Sequence, residues 1–294
     1  MESVRMKTHA SRLTVVCLLG VFVLPGCQAW GWLIRSSDDL PTPVFTQDAT
    51  LDEITDHLNS ERSRLIGWRS NDVKISASGK GLPTPSLKAN LSVQSDRNLR
   101  LEATSIRGKE VDFGSNSERF WFWARAQQPD IILTGSHEGI AQHEVLQLPF
   151  PPSWLMEALG VVPIDTSRAQ LLREQGASDR VQLISNQVTG GRVVQRVMVV
   201  DLVLGQVLEH ALFDQQSQLI CSAKMSDFRK PAGDDPGTSR LPHRIELDWP
   251  RAEMKLTMKM GVIEANPEFS SYTWQVLQDS SCRIVDLDRA GARR

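Results

Sequence analysis

The residues of this chain that come nearest to a reactive centre are His137-Glu138 and His143-Glu144. A zinc hydrolase of the helical kind sets two histidines four residues apart, so that both imidazoles reach the metal from one helix face with the glutamate between them. Here the histidines are six residues apart and Gly139 interrupts them, so neither a metal nor a cofactor is expected. Ser78-Gly79-Lys80-Gly81 has the composition of a phosphate loop but lacks the G-x-x-x-x-G-K-S/T spacing and a strand-to-helix setting, and it reads as a hairpin turn. Gly114-Ser115-Asn116-Ser117 lacks the second glycine of a nucleophile elbow and also reads as a turn. His210 and His243 fall inside strand patterns as ordinary polar positions. No paired carboxylates stand out, and the chain is not expected to be an enzyme.

One cysteine does invite chemistry. Arg5, Lys7 and Arg12 precede the apolar run Leu13 to Leu24, after which come Pro25, Gly26 and Cys27. A basic head, about a dozen apolar residues and a small-residue exit form an export signal, and the run is shorter than the roughly 20 residues of a membrane-spanning helix. Leu24-Pro25-Gly26-Cys27 resembles a bacterial lipobox, in which the cysteine thiolate takes a diacylglycerol as a thioether and becomes the new N-terminus. Residues 1–26 are then a signal peptide and Cys27 is the lipidated residue. Acyl chains such as palmitate, each buried methylene contributing about 0.8 kcal/mol, hold the chain at a membrane. Cleavage by the ordinary signal peptidase is the alternative. Cys17 leaves with the signal, while Cys221 and Cys282 stay as a candidate disulfide or as two separate buried thiols.

Loss of residues 1–26 removes Arg5, Lys7, Arg12 and Glu2, so that 33 basic and 35 acidic residues become 30 and 34. A balance of −4 leaves no cationic footprint, and nucleic acid is not an expected partner. Residues 27–48, with Ser36, Ser37, Asp38, Asp39, Pro41 and Pro43, read as a polar tether. Thr50 and Glu53 have capping-box spacing before the stripe Leu51, Ile54, Leu58 and Leu65, which predicts a helix with one apolar side. The period then changes to two. Val73 to Ala77, Leu87 to Val93, Leu99 to Ala103, Val111 to Phe113, the run FWFW at 120–123 and Ile131 to Leu133 predict an antiparallel meander. Pro151-Pro152-Ser153 opens a short helix from Trp154 to Leu159, ended by Gly160. Strand patterns resume at Val181 to Ile184, Arg192 to Val200, Val207 to Phe213, Leu219 to Met225, Ile245 to Trp249 and Lys255 to Ile263. These predict a mainly β fold with a few helices. One domain spans residues 49–275, and 276–294 form a C-terminal tail. The helical stripes are expected to lie on the concave side of a curved sheet.

Side chains alternate along a strand, so FWFW places Phe120 and Phe122 on one face and Trp121 and Trp123 on the other. Arg119 and Arg125 share the tryptophan face, which is expected to lie outside or at a rim, with guanidinium groups stacked on indoles. Phe120 and Phe122, with Phe113, Leu101 and Leu91, are the candidate lining of a cavity for acyl chains. The competing reading is that they only pack beneath the helices.

In its order of elements the chain resembles the bacterial outer-membrane lipoprotein-sorting family, the carrier and receptor proteins of the Lol system. The resemblance rests on the first helix, Val111-Asp112-Phe113-Gly114-Ser115-Asn116, FWFW and the helix at Trp154 to Leu159. It extends to the segment from Leu241 to Pro250 and to Asn266. It implies an antiparallel open half-barrel, LolA/LolB-like, with helices packed in the concave face around a hydrophobic cavity, and lipid acyl chains or lipoproteins as partners. Cys27 sets the chain nearer the anchored receptor. By the same resemblance Ile106 is a candidate apolar tip on a protruding hairpin, and Gln28 permits placement at the outer membrane facing the periplasm. The expected function is a membrane-anchored lipoprotein of the bacterial cell envelope that binds acyl chains, in sorting or transfer. The alternative is a structural or interaction lipoprotein with a filled core. A vacant hollow would favour the first and a packed hollow the second.

Overall fold

The computed structural model describes residues 42–79, 86–95, 97–126, 130–137, 152–160, 162–173, 179–189, 192–233 and 240–291. Cys27 and Gln28, like Glu138, His143 and Glu144, lie outside the described residues.

Helix α1 (Leu51–Arg64) begins where its capping box predicts. The Thr50 amide donates to the Glu53 carboxylate at 2.7 Å, and the Glu53 amide donates to the Thr50 hydroxyl at 3.3 Å. These two bonds satisfy donors that a helix start otherwise leaves open. Its stripe buries Ile54 and Leu58 against Val181, Leu183, Met198 and Val200. Residues 44 and 45, expected in the tether, instead pair with the body through Val44 N–H to Val203 O (3.1 Å) and Phe45 N–H to Leu202 O (3.0 Å).

One sheet carries the rest. The first meander runs through β1 (Gly67–Gly79), β2 (Leu87–Gln94), β3 (Asn98–Ser105), β4 (Gly108–Ser115), β5 (Arg119–Ala124) and β6 (Ile131–Ser136). After α2 (Pro152–Ala158), a second meander runs through β7 (Ala169–Arg173), β8 (Arg180–Thr189), β9 (Arg192–Asp201), β10 (Gln206–Phe213), β11 (Leu219–Arg229), β12 (Leu241–Trp249) and β13 (Met254–Met260). The two halves join where β1 pairs antiparallel with β13, from Val73↔Met260 to Gly79↔Met254, and the short β14 (Glu264–Ala265) pairs the start of β1. The sheet order is β15-β6-β5-β4-β3-β2-β1-β13-β12-β11-β10-β9-β8-β7, so the first and last strands do not meet. This is the expected open half-barrel. The domain does not stop at residue 275: β15 (Arg283–Asp286) adds a parallel strand beside β6, and α3 (Leu287–Gly291) follows it.

The pairing settles the faces of FWFW. Phe122 sits opposite Phe113, and Phe120 opposite Ser115, on the inner face. Trp121 sits opposite Gly114, and Trp123 opposite Asp112, on the outer face. The tryptophans are not wet, contrary to expectation. Both are buried, with Ile132, beneath Val276, Leu277 and Cys282 of the C-terminal segment. Arg125 lies 6.0 Å from the Trp123 ring as expected, but the guanidinium over Trp121, at 5.8 Å, is that of Arg100 on β3, and Arg119 instead lies 3.8 Å from the Asp286 carboxylate. Cys282 belongs to this outer cluster while Cys221 is buried in the main core, and no disulfide joins them. Burial pushes the Cys221 thiol up, which keeps it an inert hydrophobe.

Candidate functional site

The inner face collects the apolar residues of both meanders. Leu91 and Phe113 are buried in its main cluster, with Leu101 and Phe122 packed against them. Phe113 and Phe122 meet edge to face at 6.4 Å between ring centres. Phe120 is also fully buried but lies outside that cluster: it packs over Gly135, whose absent Cβ would stand 3.2 Å from its ring and 3.4 Å from Leu287 of α3. The structure therefore brings four of the five candidate lining residues together and puts the fifth beneath the C-terminal helix.

The hollow is not vacant. Helix α2 lies on it, and Trp154, Leu155, Met156, Ala158 and Leu159 are all buried in the same cluster. Gly160 ends the turn in a left-handed conformation (φ +78°) that suits glycine. The Trp68 indole then donates to the Leu159 carbonyl at 3.3 Å. The gap left at the mouth, between α1, the end of α2 and β10–β12, is about 70 Å³, well below the roughly 300–1,000 Å³ of ordinary ligand pockets. A larger recess of about 350 Å³ lies elsewhere, at the sheet rim by Gly79, Asp248, Glu253 and Lys255. The expectation of an open apolar cavity is thus corrected: α2 packs into the hollow and leaves a gap of about 70 Å³ beside it.

Where α2 meets the second meander, the apolar face is broken by charge. Arg196 on β9 and His210 on β10 are buried, and both point at Glu157 of α2. The Arg196 guanidinium lies 2.9 Å from the Glu157 carboxylate, donates to Ser185 Oγ at 3.1 Å and donates to the Asp165 carbonyl. His210 Nε2 is 3.7 Å from the same carboxylate and makes no hydrogen bond among the described residues. Its ring stands 5.7 Å from that of Trp154. Arg62 of α1 donates to the Val162 carbonyl and, at 3.4 Å, to the Glu157 carbonyl. Burial first, then the charges of Arg196 and Arg62, push the His210 imidazole down to about 3, so it is neutral. Burial likewise lowers Arg62 to about 10.

The sequence did not single out Arg62, Glu157 or Arg196, and it read His210, like His243, as an ordinary polar strand position, whereas both histidines are buried. Strand β9 carries valine on both faces, with Val194 and Val200 inward and Val193, Val197 and Val199 outward, so alternation alone could not show that Arg196 points inward. The available signal was Glu157, the one charge in Trp154 to Leu159. His137, from the histidine pair, follows β6 and bonds the Asn116 carbonyl at 2.7 Å; among the described residues no cluster of metal-binding side chains forms. Ile106 stands at the tip of the β3–β4 hairpin with its side chain fully in solvent (105% exposed).

No protein-family model and no curated protein matches the sequence. Solved structures do match in shape. A LolA superfamily protein from Nitrosomonas europaea superposes with a TM-score of 0.50 at 10% identity, over 78% of this chain and 98% of that one. A domain described as an outer membrane lipoprotein-sorting protein from Vibrio parahaemolyticus gives 0.52 at 9%, over 75% and 95%. A DUF1329 family protein from Desulfovibrio piger gives 0.51 at 10%, over 80% and 98%. Identities this low speak for the fold alone, and on that ground the chain has the LolA-like open half-barrel.

Proposed function

We propose that this chain is a lipid-anchored protein of the bacterial envelope that binds the acyl chains of lipids or lipoproteins on its concave face, without catalysis, and that α2 occupies the acyl site when no ligand is present. A packed hollow by itself favours the filled-core alternative; what carries the acyl-binding reading is how small the cover is. Among the described residues, the apolar face of a 15-stranded sheet is covered at its centre by a seven-residue helix rather than by a second sheet. Trp154, Leu155 and Met156 of α2 and the following Leu159 contribute about 1.5–3 kcal/mol each, roughly 6–12 kcal/mol together, and a 16-carbon chain at about 0.8 kcal/mol per methylene contributes roughly 12 kcal/mol. An acyl chain therefore recovers at least the apolar burial that displacement of the helix gives up, with a surplus small enough to suit hand-over. Ile106, bare at its hairpin tip, fits the apolar contact that the resemblance to the sorting receptor implies. Anchorage through Cys27 at the outer membrane belongs to the same proposal.

A second reading, an envelope interaction module with a permanently filled core, is favoured by the small 70 Å³ gap. Acyl uptake separates the two. The full chain carrying Cys27→Ser, so that it bears no lipid of its own, is expected to bind an uncharged pyrene-labelled acyl ester saturably. Leu91→Asp, in the inner face, should abolish uptake and Ile106→Asp should leave it intact. Absence of saturable uptake by the folded protein contradicts the proposal.

A further inference from the structure

Buried ion pairs rarely add net stability, because desolvation offsets their attraction, and an apolar replacement of similar volume often does as well or better. A set of charges on an otherwise apolar face therefore asks for another use. Arg196 and His210 are almost wholly buried on the inner face, Arg62 stands beside them, and the Glu157 side chain keeps 22% exposure at the edge of α2. Asp165 adds no competing charge at the centre: its carbonyl accepts from Arg196 while its carboxylate turns to the Ser167 amide at 2.9 Å. When α2 lifts away, Glu157 leaves with it, and two guanidiniums and an imidazole with an unsatisfied Nε2 face the emptied apolar hollow. The neighbouring cleft runs from Arg62 along Leu58, Leu65, Val207, Met225 and Phe228, a cation next to an oily channel.

We propose that Arg62, Arg196 and His210 form the head-group end of the acyl site and accept an anionic head, carboxylate or phosphate, whose place the Glu157 carboxylate holds in this structure. The inference rests on the acyl-binding reading above and names its ligand class: a single or multiple acyl chain bearing a negative head. Guanidinium groups suit either anion, since both present paired oxygens to the planar fork. The His210 Nε2 can donate to such a head once the ring takes the tautomer or proton that the ligand favours.

The test uses the full chain carrying Cys27→Ser and measures displacement of the uncharged acyl ester by dodecanoate, dodecyl phosphate and dodecanol, which share one chain and differ in the head. Any change that loosens α2 alters all three affinities together, so the readout is the ratio of anion to alcohol. A charge-assisted hydrogen bond predicts a ratio of about ten or more. Arg196→Gln and Arg62→Gln, with folding verified by circular dichroism, should lower the ratio below about three while dodecanol binds as well as before or better. Arg196→Lys should restore part of it. The tighter of the two anions identifies the head. A ratio near one with dodecanol still bound overturns the head-group site and leaves the acyl site standing. A preference that survives both glutamine variants overturns the placement. Displacement by inorganic phosphate alone would assign the cluster to a free anion and overturn the amphiphile. Failure of the ester itself to bind removes both readings.

Discussion

At the scale of single residues, the outer face shows how a small residue makes room for a large one. Gly114 faces Trp121 across the β4–β5 pair, and a Cβ there would stand 2.0 Å from the indole. The indole instead lies over the glycine and donates to Asp112 at 2.9 Å. Asp112 is fully buried; burial alone would raise its carboxyl, but hydrogen bonds from Arg100, Lys109 and Trp121 overcome this and hold it below the usual range. Gly114→Ala should therefore destabilise by about 1–3 kcal/mol through overpacking, read as a lower urea midpoint with an unchanged slope; no loss would mean that the indole has a second place to go. His210 gives a pH prediction. An unfolded histidine takes its proton near 6.5, whereas the folded one is held at about 3. The unfolded state then binds more protons between these values, so the stabilisation is complete above about 6.5 and is lost as pH falls toward 3. His210→Gln should flatten the fall in stability between pH 6.5 and 4 in denaturant titrations. A slope equal to that of the parent would show that other groups set it.

At the scale of elements, α2 is the part that the proposed exchange with an acyl chain would move. Its ends were readable in the sequence, from the prolines before Trp154 to Gly160 after Leu159, and so was most of its apolar character. Met156 is buried along with Trp154, Leu155, Ala158 and Leu159, so of 154–159 only Glu157 keeps part of its side chain exposed. What was not readable was that α2 fills the hollow instead of bordering it, because periodicity reports which side of a helix is oily and not how deep it sits. Strand β9 hid Arg196 for the related reason that both of its faces carry valine. The short β7, β14 and β15 were missed because two to five residues hold too little pattern to count. If α2 competes with the ligand, Trp154→Ala should weaken the empty form by about 3–5 kcal/mol and yet raise the affinity for the acyl ester several-fold. A fall in affinity would make α2 a wall of the site rather than its occupant.

At the scale of the whole molecule, the alternating runs were enough to foresee an antiparallel sheet with helices on one side, since period-two patterning and short polar turns dictate little else. The joining of the two meanders through β1 and β13, and the return of the C-terminal segment to cover Trp121 and Trp123, depend on contacts more than a hundred residues apart, which local patterning does not encode. An open sheet needs its oily face covered, and this chain covers part of it with a short helix whose partly exposed Glu157 pairs with the buried Arg196. The direct test is hydrogen exchange on the full chain carrying Cys27→Ser, with and without saturating dodecanoate. Exchange at residues 154–159 should rise when the acyl chain is bound, while β1–β4 and β11–β13 become more protected. Unchanged protection of α2 at saturation would contradict the account, because the ligand would then be sitting somewhere other than the space the helix fills.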